Sequence, residues 1–379
     1  MIQVFPEVKK NFGFGCMRLP MLPDGEVDKE QFCTMIDRFL EAGFNYFDTA
    51  HGYLGGKSET ALKECLVDRY PRESFLLTDK LTGPYFNCEA DIRPFFESQL
   101  KICGVEYFDF YLMHAQNATV YEKFKACRAY ETVIELIKEG KVKHLGLSIH
   151  DKAEVLEQIL TDYPEVEVVQ IQFNYLDYND PGVDSRRLYE VCEKFGKPVI
   201  MMEPVKGGHL VNLLPEAQKV FDELQKDKAV KQSNASYALR FTGSFPNARI
   251  VLSGMSDTAQ VEDNIVTMGD FKPLSFEEMA AIHRVCGVFG AVSMIPCTAC
   301  RYCVLDNDCP KKISIPELFS CYNMKTTFRS LNQEENYSLL TGGGRKASDC
   351  IKCGKCEKIC PQHLKIREFL DKVAGEFEK

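Results

Sequence analysis

Short apolar runs alternate with longer amphipathic stretches from residue 11 to residue 286. Residues 11–17, Asn-Phe-Gly-Phe-Gly-Cys-Met, read as a first strand. Phe32, Met35, Ile36, Phe39 and Leu40 then recur with a helical period. Asp28 with Gln31 opens that helix as a capping box, and Gly43 closes it. Further strands are predicted at 45–50, 75–81, 107–114, 144–149, 168–173, 198–203 and 249–255. Between them lie predicted helices near 58–68, at 89–103, around Val133, Leu136 and Ile137, and after a capping box at Asp151 and Glu154. Others follow at 184–195, 215–225 and 231–241, after Asp257 and Gln260, and at 276–286. Eight strand–helix repeats predict an α/β chain built as a closed (β/α)8 barrel of the TIM type. No Gly-x-Gly-x-x-Gly follows the first strand, which argues against a doubly wound open sheet. The barrel is expected to occupy 1–286 and a second, smaller domain 287–379.

In such a barrel the chemistry sits at the C-terminal ends of the strands. The second strand runs into Asn-Tyr-Phe-Asp48-Thr-Ala-His-Gly52-Tyr53, with Gly52 expected to make the sharp turn. Lys80 ends the third strand and His114 the fourth. A phenol titrates near ~10, too high to release a proton readily at neutral pH. A neighbouring ammonium lowers that value, and a carboxylate can hold the ammonium in place. Asp48, Tyr53, Lys80 and His114 therefore form a candidate proton-transfer set.

The net charge of -9 gives no support to a nucleic-acid or anionic-membrane partner. No apolar segment of signal-peptide length follows Lys9 and Lys10, and no run approaches the ~20 residues of a membrane span. A cytoplasmic protein is expected, and disulfides are rare there. The 17 cysteines need another explanation.

Eight of them fall in two runs. Cys297, Cys300, Cys303 and Cys309 form the first, and Cys350, Cys353, Cys356 and Cys360 the second. The second is Cys-x2-Cys-x2-Cys-x3-Cys-Pro, the bacterial ferredoxin spacing for a [4Fe–4S] cluster. The first has the same three close cysteines, with five residues before its Cys-Pro. Zinc, the rival, needs neither a third close cysteine nor Cys-Pro twice. In two-cluster ferredoxins the fourth cysteine of each run binds the other cluster. That rule assigns Cys297, Cys300, Cys303 and Cys360 to one cluster, and Cys309, Cys350, Cys353 and Cys356 to the other. The tail is expected to be a helix-rich, ferredoxin-like module, with helices from Pro316, at 334–340 and at 366–377. Cys321 and the barrel cysteines read as core thiols. Oxygen-sensitive clusters would suit a cell living with little oxygen, an anaerobe.

The barrel resembles the aldo-keto reductase family. The resemblance covers residues 11–285 and rests on the Asp48–Tyr53 stretch, Lys80, His114, Leu-Gly-Leu-Ser148, Gln170-Ile-Gln-Phe-Asn, and Ser253-Gly-Met-Ser-Asp-Thr-Ala-Gln-Val-Glu-Asp-Asn264. It implies that Tyr53 is the general acid toward a carbonyl, Lys80 lowers its pKa, Asp48 pairs with Lys80 and His114 orients the substrate. It also implies a nicotinamide cofactor, NAD(H) or NADP(H), with Ser148 and Gln170 at the carboxamide. Ile149 stands where the family has Asn. Gly254, Met255 and Gln260 occupy positions that hold the adenosine 2'-phosphate in NADPH-preferring members, and two cations are missing there. Asp263 and Asn264 match the adenine contacts, and Lys206 is a further candidate phosphate contact. NADH, or weak discrimination, is expected. Two functions follow: reduction of a small-molecule carbonyl (or oxidation of an alcohol), and electron transfer with the barrel as scaffold. A nicotinamide delivers two electrons together and each cluster takes one, so a relay between them would call for an intermediary, either a bound flavin or a radical-tolerant substrate. A redox partner protein or purely structural clusters are the other expectations carried forward.

Overall fold

The computed structural model describes residues 5–378 except 293, 306, 308, 328–332 and 343. Eight strands form a closed barrel in chain order: β1 (Phe12–Gly15), β2 (Tyr46–Asp48), β3 (Leu76–Leu81), β4 (Phe108–Gln116), β5 (Val142–Ile149), β6 (Val168–Gln172), β7 (Val199–Met202) and β8 (Ala248–Gly254). Every neighbouring pair is parallel, including β8 with β1. Strands buried on both faces carry apolar runs instead of alternation, which is why short hydrophobic segments marked them. Register does functional work: Gly15 lies beside Asp48 and Asp48 beside Thr78, while Ser148 lies beside Gln170.

Tyr46, Phe110, Leu112, Val168, Ile200, Ile250 and Leu252 fill the barrel with Phe5 and Val8. Two glycines make room for them. A Cβ on Gly13 would lie 2.7 Å from the Tyr46 ring, and one on Gly146 would lie 2.7 Å from Val168 Cγ1 and 2.9 Å from Val168 O.

Several expectations need correction. Gly52 is right-handed (φ -76°); the sharp turn falls on Leu54, Gly55 and Gly56, at φ 55°, 67° and 89°. The helix expected at 58–68 is Lys57–Leu62 continued by a π-turn, Lys63–Val67. The helix around Val133 is Ala129–Lys138, and a separate helix, Ala118–Ala126, precedes it. Arg128 at φ 50° breaks the two apart. Asp151 does not open a capping box. Its carboxylate accepts from Ala118 N and Lys152 N, and Asp184 accepts from Ala153 N at the helix start. Asp28 and Asp257 cap their helices, accepting from Gln31 N and Gln260 N, but the capping box expected at Asp28 does not close: Gln31 Nε2 donates to the Asp28 carboxylate, and Asp28 N donates to Pro20 O.

Packing divides the chain into two units. One is Met1–Pro204 with Ala235–Leu274, and holds the barrel. The other is Val205–Asn234 with Ser275–Lys379. In it, Pro215–Leu224 packs on Phe276–Gly290. Ile295, Ile313, Ile315, Leu318, Phe319 and Leu370 form the core of its cysteine-rich part. Among the described residues the longer helices there are Ile315–Thr326, Gln333–Thr341 and Ile366–Phe377, with the short turns Tyr302–Leu305 and Lys355–Lys358 beside the cysteines. Among the described residues no helix is long and apolar enough to cross a membrane.

Gly146→Ala should destabilise the barrel by about 1–3 kcal/mol, the usual cost of overpacking, because the added methyl meets backbone that cannot retreat. Denaturant unfolding of both proteins checks this; equal midpoints would show that β5 and β6 can part without cost.

Candidate active site and cysteine centres

The end of β2 and the end of β3 bring Asp48 and Lys80 together. Lys80 Nζ donates to Asp48 Oδ1 at 2.6 Å and to Thr49 O at 2.6 Å. Both side chains are buried. Burial pushes the Asp48 carboxyl above its usual range, and Lys80 and then Gln170 pull it back. Lys80 Nζ lies 5.0 Å from the Tyr53 ring centroid. The Tyr53 and His114 rings meet edge to face at 5.9 Å. His114 Nδ1 lies 2.8 Å from Thr82 Oγ1. Burial holds the His114 pKa well below the usual imidazole value, and Lys80 and His150 reinforce the shift. Its ring is therefore neutral at physiological pH, able to donate from one nitrogen and accept at the other.

The expected cofactor contacts are placed as follows. Ser148 Oγ accepts from Ala115 N at 2.8 Å, with Ala115 in the left-handed region at φ 51°. Gln170 Nε2 donates to Asp48 Oδ2 at 3.2 Å, so it also belongs to the ion-pair network. Asn264 Nδ2 donates to Ser253 Oγ at 3.4 Å, and Asp263 precedes it on Thr258–Gly269. Met255 is fully buried. Gln260 closes the helix start: its Oε1 accepts from Ser256 N and its Nε2 donates to Asp257 Oδ2. Lys206 lies after β7 in the Lys206–Gly208 turn, in the left-handed region at φ 48° and buried.

One neighbour escaped the sequence reading. A Cβ on Gly254 would lie 3.6 Å from the Arg18 side chain, and Arg18 Nη2 pairs with Glu203 Oε1 at 3.1 Å. Arg18 follows β1 by three residues, and that position at a strand's C-terminal end was the available signal.

The eight tail cysteines gather in two groups. One hollow is lined by Cys309, Cys350, Cys353 and Cys356 with Ile313, Ile315 and Leu370. The other is lined by Cys297, Cys300, Cys303 and Cys360 with Ile315, Phe319, Leu364 and Ile366. These are the two crossed sets that the ferredoxin rule assigns. In each loop the residues flanking the second cysteine are left-handed: Ala299 (φ 53°) and Arg301 (φ 68°), then Lys352 (φ 57°) and Gly354 (φ 73°). Such alternation turns successive backbone N–H groups to one side and makes an anion-binding nest, as iron–sulfur sites use. Burial pushes the Cys303 thiol up, and Cys300, Cys297, Cys360 and Cys356 add to it. Burial likewise pushes Cys356 up to about 11, with Cys350 contributing. Four crowded thiols cannot all ionise without a cation among them, so the donor set fits a bound metal group. His209 Nε2 lies 2.9 Å from Cys297 O, and a Cβ on Gly207 would approach Thr298 O to 2.5 Å, so the turn after β7 packs on the first cysteine loop. Of the remaining cysteines, Cys16, Cys65, Cys103, Cys127, Cys192 and Cys321 are buried, as core thiols should be. Cys88 is exposed instead, at the start of Glu89–Cys103.

Residues 11–286 match the aldo/keto reductase family, and residues 296–365 match the 4Fe-4S dicluster domain. An uncharacterized oxidoreductase of Schizosaccharomyces pombe is 26% identical over 278 residues, 71% of this chain and 84% of that protein. An NADH-specific methylglyoxal reductase of Escherichia coli is 28% identical over 212 residues, 50% of this chain and 61% of that one. An aldo-keto reductase from Klebsiella pneumoniae, solved in complex with NADPH, superposes with a TM-score of 0.58 at 18% identity. It covers 73% of this chain and 90% of that one. A Bacillus halodurans aldo-keto reductase gives a TM-score of 0.56 at 22% identity, covering 73% and 91%. The chain belongs to the aldo/keto reductase family and carries a 4Fe-4S dicluster domain at its C-terminus.

Proposed function

We propose that the protein is a nicotinamide-dependent carbonyl reductase, with the barrel of residues 1–286 as its catalytic part and two [4Fe–4S] clusters in residues 287–379. The observation that carries the reading is the buried Lys80–Asp48 pair facing the Tyr53 ring, with neutral His114 at the ring's edge. Tyr53 gives its phenolic proton to the carbonyl oxygen. Lys80 stabilises the phenolate that remains, and Asp48 holds Lys80 in place. His114 donates to the same oxygen from the nitrogen that does not face Thr82, which fixes the carbonyl's orientation. Alcohol oxidation runs through the same groups in reverse. The nicotinamide supplies the hydride when bound. Ser148 and Gln170 are its carboxamide contacts, Asp263 and Asn264 its adenine contacts, and Lys206 a phosphate contact.

Buried Met255, cap-bound Gln260 and the adjacent Asp257 carboxylate offer no cation to a 2'-phosphate. Arg18 already shares its charge with Glu203. These observations support NADH or weak discrimination, and the name of the Escherichia coli relative agrees. For the clusters, the two hollows support the crossed ligand sets, and the exposed Cys353 in one of them supports a relay over a staple, since a staple gains nothing from exposure.

Replacing Tyr53 by Phe should lower carbonyl reduction by about 10²–10⁴-fold, the usual contribution of a general acid, while nicotinamide binding survives. Steady-state rates and fluorescence titration read the two effects; near-normal turnover would remove Tyr53 from its role. Titration with both nicotinamides should show a preference for NADPH of less than about a hundredfold, since a charge-assisted phosphate contact contributes only ~1.5–3 kcal/mol. A larger preference would mean that Arg18 turns to the phosphate. Anaerobically prepared protein should carry about eight iron atoms and eight sulfides, the content of two cubanes. Zinc in their place would sink the cluster assignment. Mixing NADH with flavin-free holoprotein under nitrogen should leave the cluster absorbance unchanged, because hydride and one-electron chemistry do not match; rapid bleaching would contradict this.

A further inference from the structure

The chain buries a pair of acids, one of them next to Lys80 in sequence. Glu59, on the helix Lys57–Leu62, and Asp79, on β3, are both fully buried, and a carboxyl oxygen of each lies within 4.8 Å of the other and of Cys103 Sγ. Each also grips a part of the proposed site. Asp79 Oδ1 accepts from Lys80 N at 2.8 Å. Glu59 Oε2 lies 2.7 Å from Nδ1 of His51, in the short loop that joins Asp48 to Tyr53. Gln99 Nε2 donates to Glu59 Oε1 at 3.4 Å and to Lys80 O at 3.2 Å, and Tyr111 Oη donates to Gln99 Oε1 at 2.5 Å. The groups facing the pair are thus His51 from the loop, Lys80 from β3, Gln99 and Cys103 from Glu89–Cys103, and Tyr111 from β4.

Two carboxyls this close and shielded from water are not both ionised unless a cation lies between them, so one proton is expected on the pair. We propose that the Glu59–Asp79 pair holds one shared proton, and that this proton bridge ties the Tyr53-bearing loop to the Lys80-bearing strand, making both acids positioning residues for Tyr53 and Lys80. The inference rests on the reductase reading only for its kinetic consequence; the bridge itself stands on the burial and contacts of the two acids. When the proton leaves, two adjacent anions repel. Through His51 and the Lys80 peptide, that repulsion shifts Tyr53 relative to Lys80. Burial pushes Glu59 up to about 7, and burial and then Glu59 push Asp79 well above the usual carboxyl range.

The sign of the linkage follows. Unfolded carboxyls lose their protons near ~4, whereas burial raises both folded acids, Glu59 to about 7 and Asp79, beside the Glu59 charge, well above the usual range, so the folded pair still keeps a proton past pH 7. The stabilisation is complete below the unfolded value and is lost as pH rises through the folded one. Thermal midpoints of the cluster-loaded protein should therefore fall between about pH 5 and about pH 8, with a flatter course in Glu59→Gln, where the amide proton cannot leave. Turnover of wild type should drop at alkaline pH as the pair gives up its last proton, and Glu59→Gln should lose that drop. Glu59→Ala, which removes the link to His51, should lose at least about tenfold in kcat across the range with little change in KM. Parallel midpoint curves for wild type and Glu59→Gln overturn the proton bridge. A bridge seen in the midpoints, with a kcat profile that Glu59→Gln leaves unmoved, overturns the positioning role. Absence of reductase activity in every protein defeats the functional reading, and the midpoint series then decides the bridge by itself.

Discussion

The site depends on one buried ion pair. Lys80 and Asp48 are withdrawn from water, where each charge would be costly alone. Their attraction is supported by bonds to neutral groups, Thr49 O on the ammonium and the Gln170 amide on the carboxylate. Those partners come from β6 and from the loop after β2, so the closed barrel is the condition for the pair. Once formed, it places a fixed positive charge against the Tyr53 ring and helps keep His114 neutral. The Tyr53 ring and the neutral His114 ring thus meet edge to face beside that charge.

Much of this was legible in the chain, for reasons that differ between elements. Strands buried on both faces announce themselves as apolar runs, and caps such as Asp28 and Asp257 act over three residues, so local reading finds both. Asp48, Lys80 and His114 could be aligned because each closes such a run. What stayed hidden depends on distant partners. Arg128 and Leu54 take left-handed conformations that no residue preference announces. Asp151 looks like a cap and bonds instead to Ala118 N, 33 positions earlier in sequence. Met255 follows a strand end yet points inward. The contact of Glu59 with Asp79 joins a helix to the outer face of a strand, and spacing carries no trace of it.

The cysteine centres illustrate the opposite case. Here the sequence motif constrains geometry so tightly that the crossed sets could be written before any coordinates, and the two hollows collect the same cysteines. The left-handed residues flanking Cys300 and Cys353 repeat in both loops, so the two runs behave as copies of one turn despite their different spacing to Cys-Pro.

The division of the chain into units has a consequence for assembly. The barrel unit is interrupted: residues Val205–Asn234, which lie between β7 and β8 in sequence, pack with the cysteine-rich part, whose last helix ends at Phe377. During synthesis the inserted segment leaves the ribosome long before its packing partners do. The Gly207 turn waits for Thr298, and the helix Pro215–Leu224 waits for Phe276–Gly290. Cutting the gene after the barrel would thus strand an internal piece of the chain without its other half. A cysteine module joined in this manner cannot be gained or shed as a simple tail; it is inherited together with the loop it packs against.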